Sequence, residues 1–178
     1  VAIAALDGSG KRLDPNENGE ILIRGERVIE QYMGLPPCAD DGWLPTGDIG
    51  CLTSDGLLTV VDRKKDMLIV AGFNVYPSEI EEVISQVPEV TDVAVISVPD
   101  DRKGEGPIAF VAIDQGAGIT EKTLLNHCAE HLTNYKIPRA LVLLDELPKT
   151  PARKPDKKRL EKLARDFLRK QGNKITAK

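Results

Sequence analysis

Apolar and polar positions change rhythm twice along this chain. Up to about residue 61 the apolar residues come in short runs, broken by the turn clusters Gly8-Ser9-Gly10, Asn16-Glu17-Asn18-Gly19 and Asp55-Gly56. Glu20 to Arg24 and Leu57 to Val61 read as strands, and no long helix is predicted there. Beyond residue 66 the period alternates. Met67 to Ala71 reads as a buried strand that Gly72 stops. Ile80, Val83, Ile84 and Val87 recur at helical spacing, which predicts a helix over 78–87. Its start carries a capping box, Ser78-Glu79-Ile80-Glu81, behind Pro77. Strands are predicted over 92–98 and 107–113, with a turn at 100–104 between them. A second helix runs from the cap Thr120 to about 132, with Leu124, Leu125, Cys128 and Leu132 on one face. Ala140 to Leu144 completes the set.

The order βαββαβ predicts an α+β fold, a split-βαβ sheet with helices on one face. The last rhythm is different again. Leu147 to Lys154 holds two prolines and no period, so it is an exposed loop. Leu160, Leu163, Ala164, Phe167 and Leu168 then mark a helix over 156–170, and the end from Gln171 is expected to fray. Two domains are expected: residues 1–64, rich in strands, and residues 65–178.

Charge sharpens this picture. Residues 149–178 carry 12 Lys or Arg and 3 Asp or Glu, whereas the whole 178-residue chain has a net charge of −4. A basic tail on an acidic body suits phosphates or the anionic inner face of a membrane, and equally a solvated helix. Cys38, Cys51 and Cys128 form no CxxC pair, which fits reduced thiols and a cytoplasmic location. No apolar run reaches the roughly 18 residues of a membrane span, and the first ten residues lack a signal-peptide pattern. Aromatic residues are 4% of the chain, and no nucleic-acid motif is present, so nucleic acid is not an expected partner.

The densest block of candidate chemistry is Asp62 to Glu81, DRKKDMLIVAGFNVYPSEIE. Its charged turn belongs in solvent or against a charged ligand, and Gly72 lets the backbone approach something closely. This block resembles the hinge region of the adenylate-forming enzymes, the acyl-CoA synthetases in particular, where DRxKDxI is followed by GxNVxPxEIE. Its wording is most similar to bacterial long-chain fatty-acid–CoA ligases. Upstream, Gly19-Glu20-Ile21 with Arg24-Gly25, Gly42-Trp43 and Thr46-Gly47-Asp48 resemble the end of that family's large N-terminal domain.

The resemblance implies a small mobile C-terminal domain preceded by a β-rich remnant of the N-terminal AMP-binding domain. It further implies ATP, CoA and Mg²⁺ as cofactors and a fatty acid as substrate. The phosphate loop, the acyl pocket and the Mg²⁺ ligand would lie upstream of this sequence, so the fragment alone is expected to be inactive. By position, Lys154 would be the catalytic lysine, Asp48 and Arg63 would bind the nucleotide, and Lys65 would be the hinge. Gly72, Phe73 and Asn74 would border the CoA pantetheine tunnel.

Two positions depart from the family loop LPKTxxGK. Arg153 replaces its glycine, and Pro155 replaces the aliphatic residue after the lysine. If that glycine needs a positive φ, an arginine there is strained by about 1 kcal/mol or more. Lys149 is the fallback catalytic candidate. His127 and His131 have metal-pair spacing, but Cys128-Ala129-Glu130 between them is not HExxH and shows no third ligand. They read as exposed helix residues, and no metal site is expected. Two other readings stay open: another acyl- or aryl-CoA ligase, and a non-catalytic membrane- or partner-binding module.

Overall fold

A computed structural model of the chain describes residues 2–6, 13–29, 31–38, 41–100, 102–114, 116 and 118–175. The turn expected at Gly8-Ser9-Gly10 lies outside the described residues. The chain divides into two compact units, Val1–Lys65 and Asp66–Lys178.

Among its described residues, the first unit forms an antiparallel sheet of four strands in sequence order, β1 (Ala2–Leu6), β2 (Gly19–Arg24), β3 (Leu44–Leu52) and β4 (Leu58–Arg63). Among its described residues, Ile21 and Ile49 are the large apolar side chains below a tenth exposed. Gly50 lies between them and β4. A Cβ built there would stand 2.3 Å from the Thr59 carbonyl oxygen and 2.7 Å from Ile21 Cδ1.

The second unit starts with a β-hairpin rather than the single strand expected over 67–71. β5 (Leu68–Val70) and β6 (Phe73–Val75) pair across a two-residue turn. Ala71 (φ 51°) and Gly72 (φ 86°) both take the left-handed conformation, as a type I′ turn requires. Helix α1 (Pro77–Ser85), strands β7 (Val90–Asp100) and β8 (Gly104–Ile113), helix α2 (Glu121–His131), strand β9 (Ala140–Leu144) and helix α3 (Lys157–Ile175) follow.

β8 is the central strand. It pairs with β7 along its whole length, with β5 at Gly104, and in parallel with β9 from Ile108 to Ala112. Pro107 fits this strand at the point where its outer edge passes from β5 to β9. Its carbonyl accepts the Arg139 N–H at 2.9 Å, so the ring nitrogen faces that edge and no bond to β7 is lost.

Both faces of the sheet are covered, which explains why β8 is buried without a break from Gly106 to Ala112. The expected pair, α1 and α2, packs on one face, with Ile80, Ile84, Leu124 and Cys128 against Val95, Ala109, Val111 and Leu141. The opposite face belongs to α3, with Leu160 and Ala164 set on Ala94, Ile96, Ile108 and Phe110. Each fully buried Ile, Leu or Phe here contributes about 1.5–3 kcal/mol.

Helix starts divide between local and tertiary control. Thr120 caps α2 by accepting the Thr123 N–H at 3.2 Å, as expected. Asp156 caps α3 in the same way, accepting the Arg159 N–H at 3.2 Å. α1 opens at Pro77, one residue before the helix start expected at Ser78. Tyr76 is the N-cap without a side-chain bond, and Pro77 occupies the first helical position. Glu81 accepts the Val95 N–H at 2.8 Å and so ties α1 to β7.

Candidate functional site

Thr46-Gly47-Asp48 is a kink inside β3. The register against β2 shifts between Glu20 and Leu22, and Gly47 (φ 73°) turns the backbone within the extra length. The Thr46 hydroxyl fixes the kink: it donates to the Ile21 carbonyl at 2.9 Å and accepts the Asp48 N–H at 3.1 Å. Asp48 then lies directly across from Arg63 on β4. Arg63 Nε reaches Asp48 Oδ1 at 2.8 Å, with the two side chains 61% and 30% exposed. The two nucleotide-binding candidates are therefore brought together, and the carboxylate keeps a solvent-facing side.

Lys65 lies in a 3-10 turn, Lys64–Asp66, at the end of the first unit. Its neighbours are anchored. Lys64 is paired to Glu20 in the first unit at 2.6 Å, and Asp66 is paired to Lys157 in the second at 2.9 Å. Lys65 itself is exposed.

Gly72, Phe73 and Asn74 form the tip of the β5–β6 hairpin, all exposed. Phe73 stacks on Tyr135 with ring centroids 4.5 Å apart and planes 16° from parallel. Next to Tyr135, Lys136 Nζ bonds both oxygens of Glu79, at 2.6 and 2.7 Å. Sequence reasoning passed over Tyr135 and Lys136 because nothing in their local pattern points to β6 or α1.

The stretch expected as an irregular loop before α3 is an ordered hairpin. Lys149 bridges Pro155, and the Asp156 N–H donates to the Pro148 carbonyl at 2.8 Å. At its tip the Arg153 N–H donates to the Thr150 carbonyl at 2.9 Å, and the Thr150 N–H donates to the Lys154 carbonyl at 2.8 Å. That is a three-residue turn whose last residue must be left-handed, and Arg153 takes φ 59°. The position expected to need a glycine does need a positive φ, and arginine accepts the strain.

The two lysines of this hairpin are unlike. Lys149 Nζ is paired to Asp92 on β7 at 2.9 Å. Lys154 is exposed, and its ammonium group makes no ion pair among the described residues. Lys149 thus braces the hairpin while Lys154 keeps its charge available. An ammonium with no carboxylate partner is what a developing anion can use.

His127 Nε2 lies 3.1 Å from the Val83 carbonyl oxygen, and His131 Nδ1 lies 2.9 Å from the carbonyl of His127. The third donor that the sequence pattern lacked is Glu130. One donor atom from each of His127, Glu130 and His131 lies within 4.8 Å of the others.

Residues 79–154 match the AMP-binding enzyme C-terminal domain. The chain is 45% identical over 148 residues to a long-chain-fatty-acid–CoA ligase of Yersinia pestis, covering 81% of this chain and 26% of that protein. It is 38% identical over 169 residues to a 2-succinylbenzoate–CoA ligase of Listeria monocytogenes, covering 90% of this chain and 36% of that protein. Among solved structures, ATP-bound MatB from Rhodopseudomonas palustris superposes with a TM-score of 0.85 at 34% identity, over 93% of this chain and 34% of MatB. The chain thus spans about a quarter to a third of the length of these proteins. By sequence and by fold it belongs to the AMP-binding enzymes, with residues 79–154 of its second unit matching the small C-terminal domain of the adenylate-forming family.

Proposed function

We propose that this chain is the C-terminal part of a long-chain fatty-acid–CoA ligase. The parent enzyme joins a fatty acid to ATP as an acyl-adenylate with release of pyrophosphate, then passes the acyl group to the CoA thiol with release of AMP. The contrast between the two hairpin lysines carries the reaction class: Lys149 is neutralised by Asp92, and Lys154 is presented unpaired on a fixed turn. The fatty-acid class rests on the 45% identity to the Yersinia pestis ligase. Identity of 38% to the 2-succinylbenzoate ligase supports a second reading, an aryl-CoA ligase of the same family.

Each residue has a role in this reading. Asp48 accepts hydrogen bonds from the two ribose hydroxyls, since two carboxylate oxygens suit a vicinal diol, and Arg63 both orients Asp48 and faces the nucleotide. Lys154 places its charge on the carboxylate and α-phosphate oxygens as they approach each other, where the transition state gathers negative charge. Lys65 is the pivot, held between one neighbour anchored to each unit, and the tip at Gly72, Phe73 and Asn74 borders the pantetheine arm of CoA. The three-donor cluster found among the described residues is a His–Glu–His set, which does not suit Mg²⁺, a cation of oxygen ligands, so no step here is routed through Mg²⁺.

The test uses the full-length protein and separates the half-reactions. Lys154→Ala is expected to lower fatty-acid-dependent ATP–pyrophosphate exchange by about 10²–10³-fold, while acyl transfer from supplied acyl-adenylate to CoA persists. The 178-residue chain alone is expected to show no exchange. Unchanged exchange in Lys154→Ala would sink the reading. Salt-sensitive liposome binding by the isolated chain, together with an absence of exchange in the full-length protein, would favour a binding module.

A further inference from the structure

We propose that His127, Glu130 and His131, on the last turns of α2, form a binding site for a divalent transition cation of the Zn²⁺ class. Three observations converge. The first is proximity: one donor atom from each residue lies within 4.8 Å of the others. Positions i, i+3 and i+4 put all three on adjoining faces of one helix, so no backbone movement is needed.

The second is the protonation pattern of the two imidazoles. A carbonyl oxygen can only accept. In the neutral ring, the bond from His127 Nε2 to the Val83 carbonyl therefore puts the proton on Nε2 and leaves the lone pair on Nδ1. By the same logic His131 donates from Nδ1 to the His127 carbonyl and leaves Nε2 free. A histidine that gives one ring N–H to a backbone carbonyl is prepared to ligate through the other nitrogen, the usual supporting arrangement around bound metal. The rings already lie together, with centroids 4.3 Å apart.

The third is the donor chemistry. Two imidazoles and one carboxylate are the set that Zn²⁺ takes while keeping a solvent position open. They favour Zn²⁺, Co²⁺, Ni²⁺ and Cu²⁺ over the oxygen-seeking Mg²⁺ and Ca²⁺. Glu130 and His131 are exposed, so a cation reaches them from solvent. His127 also touches Val83 of α1, so a bound cation would brace the contact between α1 and α2.

The full 178-residue chain, free of any affinity tag, is titrated with Zn²⁺ by calorimetry and with Co²⁺ by visible absorption. One equivalent of Zn²⁺ is expected to bind, to raise the melting temperature, and to be removed by EDTA. His131→Ala and Glu130→Gln change exposed side chains and should leave the fold intact by circular dichroism. Each is expected to weaken Zn²⁺ binding by about tenfold or more, since loss of even a supporting partner has an effect of about 10–100-fold. The chain has two histidines, both here, so imidazole resonances in NMR report on this site alone. They should shift with Zn²⁺ and stay still with Mg²⁺. An absence of Zn²⁺ binding overturns the proposal. So does binding that persists undiminished when His131→Ala and Glu130→Gln are combined in one variant, which would place the cation elsewhere, for instance on the thiols of Cys38 or Cys51.

Discussion

Asp48 and Arg63 face each other across β3 and β4, joined by a 2.8 Å contact between Nε and Oδ1. With the arginine side chain 61% exposed, the pair belongs to the class of surface ion pairs that contribute about 0–1 kcal/mol to stability. In the proposed function its geometry serves nucleotide binding instead. Asp48→Ala is expected to leave the melting temperature nearly unchanged while weakening ATP binding by the loss of one or two charged hydrogen bonds, each about 1.5–3 kcal/mol. Calorimetric ATP titration of the full-length protein, beside a melting curve, checks both halves.

Arg153 holds a left-handed turn position that glycine takes freely. Arg153→Gly removes about 1–2 kcal/mol of native strain but adds flexibility to the unfolded chain, so a net gain of about 1 kcal/mol is expected. Urea denaturation of the chain should show it as a higher midpoint at unchanged slope. A lower midpoint would mean that the Arg153 side chain makes a stabilising contact.

Gly50 presents the opposite case. Its backbone is unstrained, but a methyl group has nowhere to go between Thr59 and Ile21. Gly50→Ala should destabilise the first unit by about 1–3 kcal/mol, the usual range for overpacking. Amide exchange should speed up at β3 and β4 and stay unchanged at β7 and β8.

Asp100 ends β7, and its carboxylate is held below the ordinary value of 3.8, first by the Arg102 N–H, then by the Lys103 N–H. Those bonds measure 2.9 and 3.0 Å, and Arg139 Nη1 lies 3.0 Å from the other oxygen. A depressed carboxylate stabilises the fold fully above its unfolded pKa, and that contribution is lost as pH falls through the folded one. The Arg102 and Lys103 amide resonances should therefore titrate together, with a midpoint below 3.8. Asp100→Asn should abolish the transition.

Much of this was legible because it was local. Thr120 and the apolar face of α2 act through neighbours three and four residues away, so their pattern survives in the sequence. The α1 start lies one residue before the sequence placed it, at Pro77, a residue suited to the first helical position, and the Glu81 bond to the Val95 N–H joins positions too far apart to read locally. The β5–β6 hairpin was hidden by Ala71, a residue that does not advertise a left-handed turn. For the candidate site, the sequence singled out Arg153 as the strained position, but the pairing of Asp48 with Arg63 and of Lys149 with Asp92 needed strand register. Glu130 was overlooked because the expected metal pattern places its glutamate beside the first histidine.

The hairpin that carries Lys154 is fastened at both ends. Its base is closed by the Asp156–Pro148 bond and by Lys149 on Asp92, and its tip by two bonds between Thr150 and the residues that follow. A loose loop would sweep its lysine through space in nanoseconds to microseconds, whereas this one moves with the sheet and helix it is fastened to. Carrying the ammonium group farther than its own side chain can reach therefore requires the whole second unit to travel as a body. Such motions take microseconds to milliseconds. In the proposed function, the tempo at which this charge would arrive and depart is therefore set by a pivot at Lys65, not by the loop that bears it.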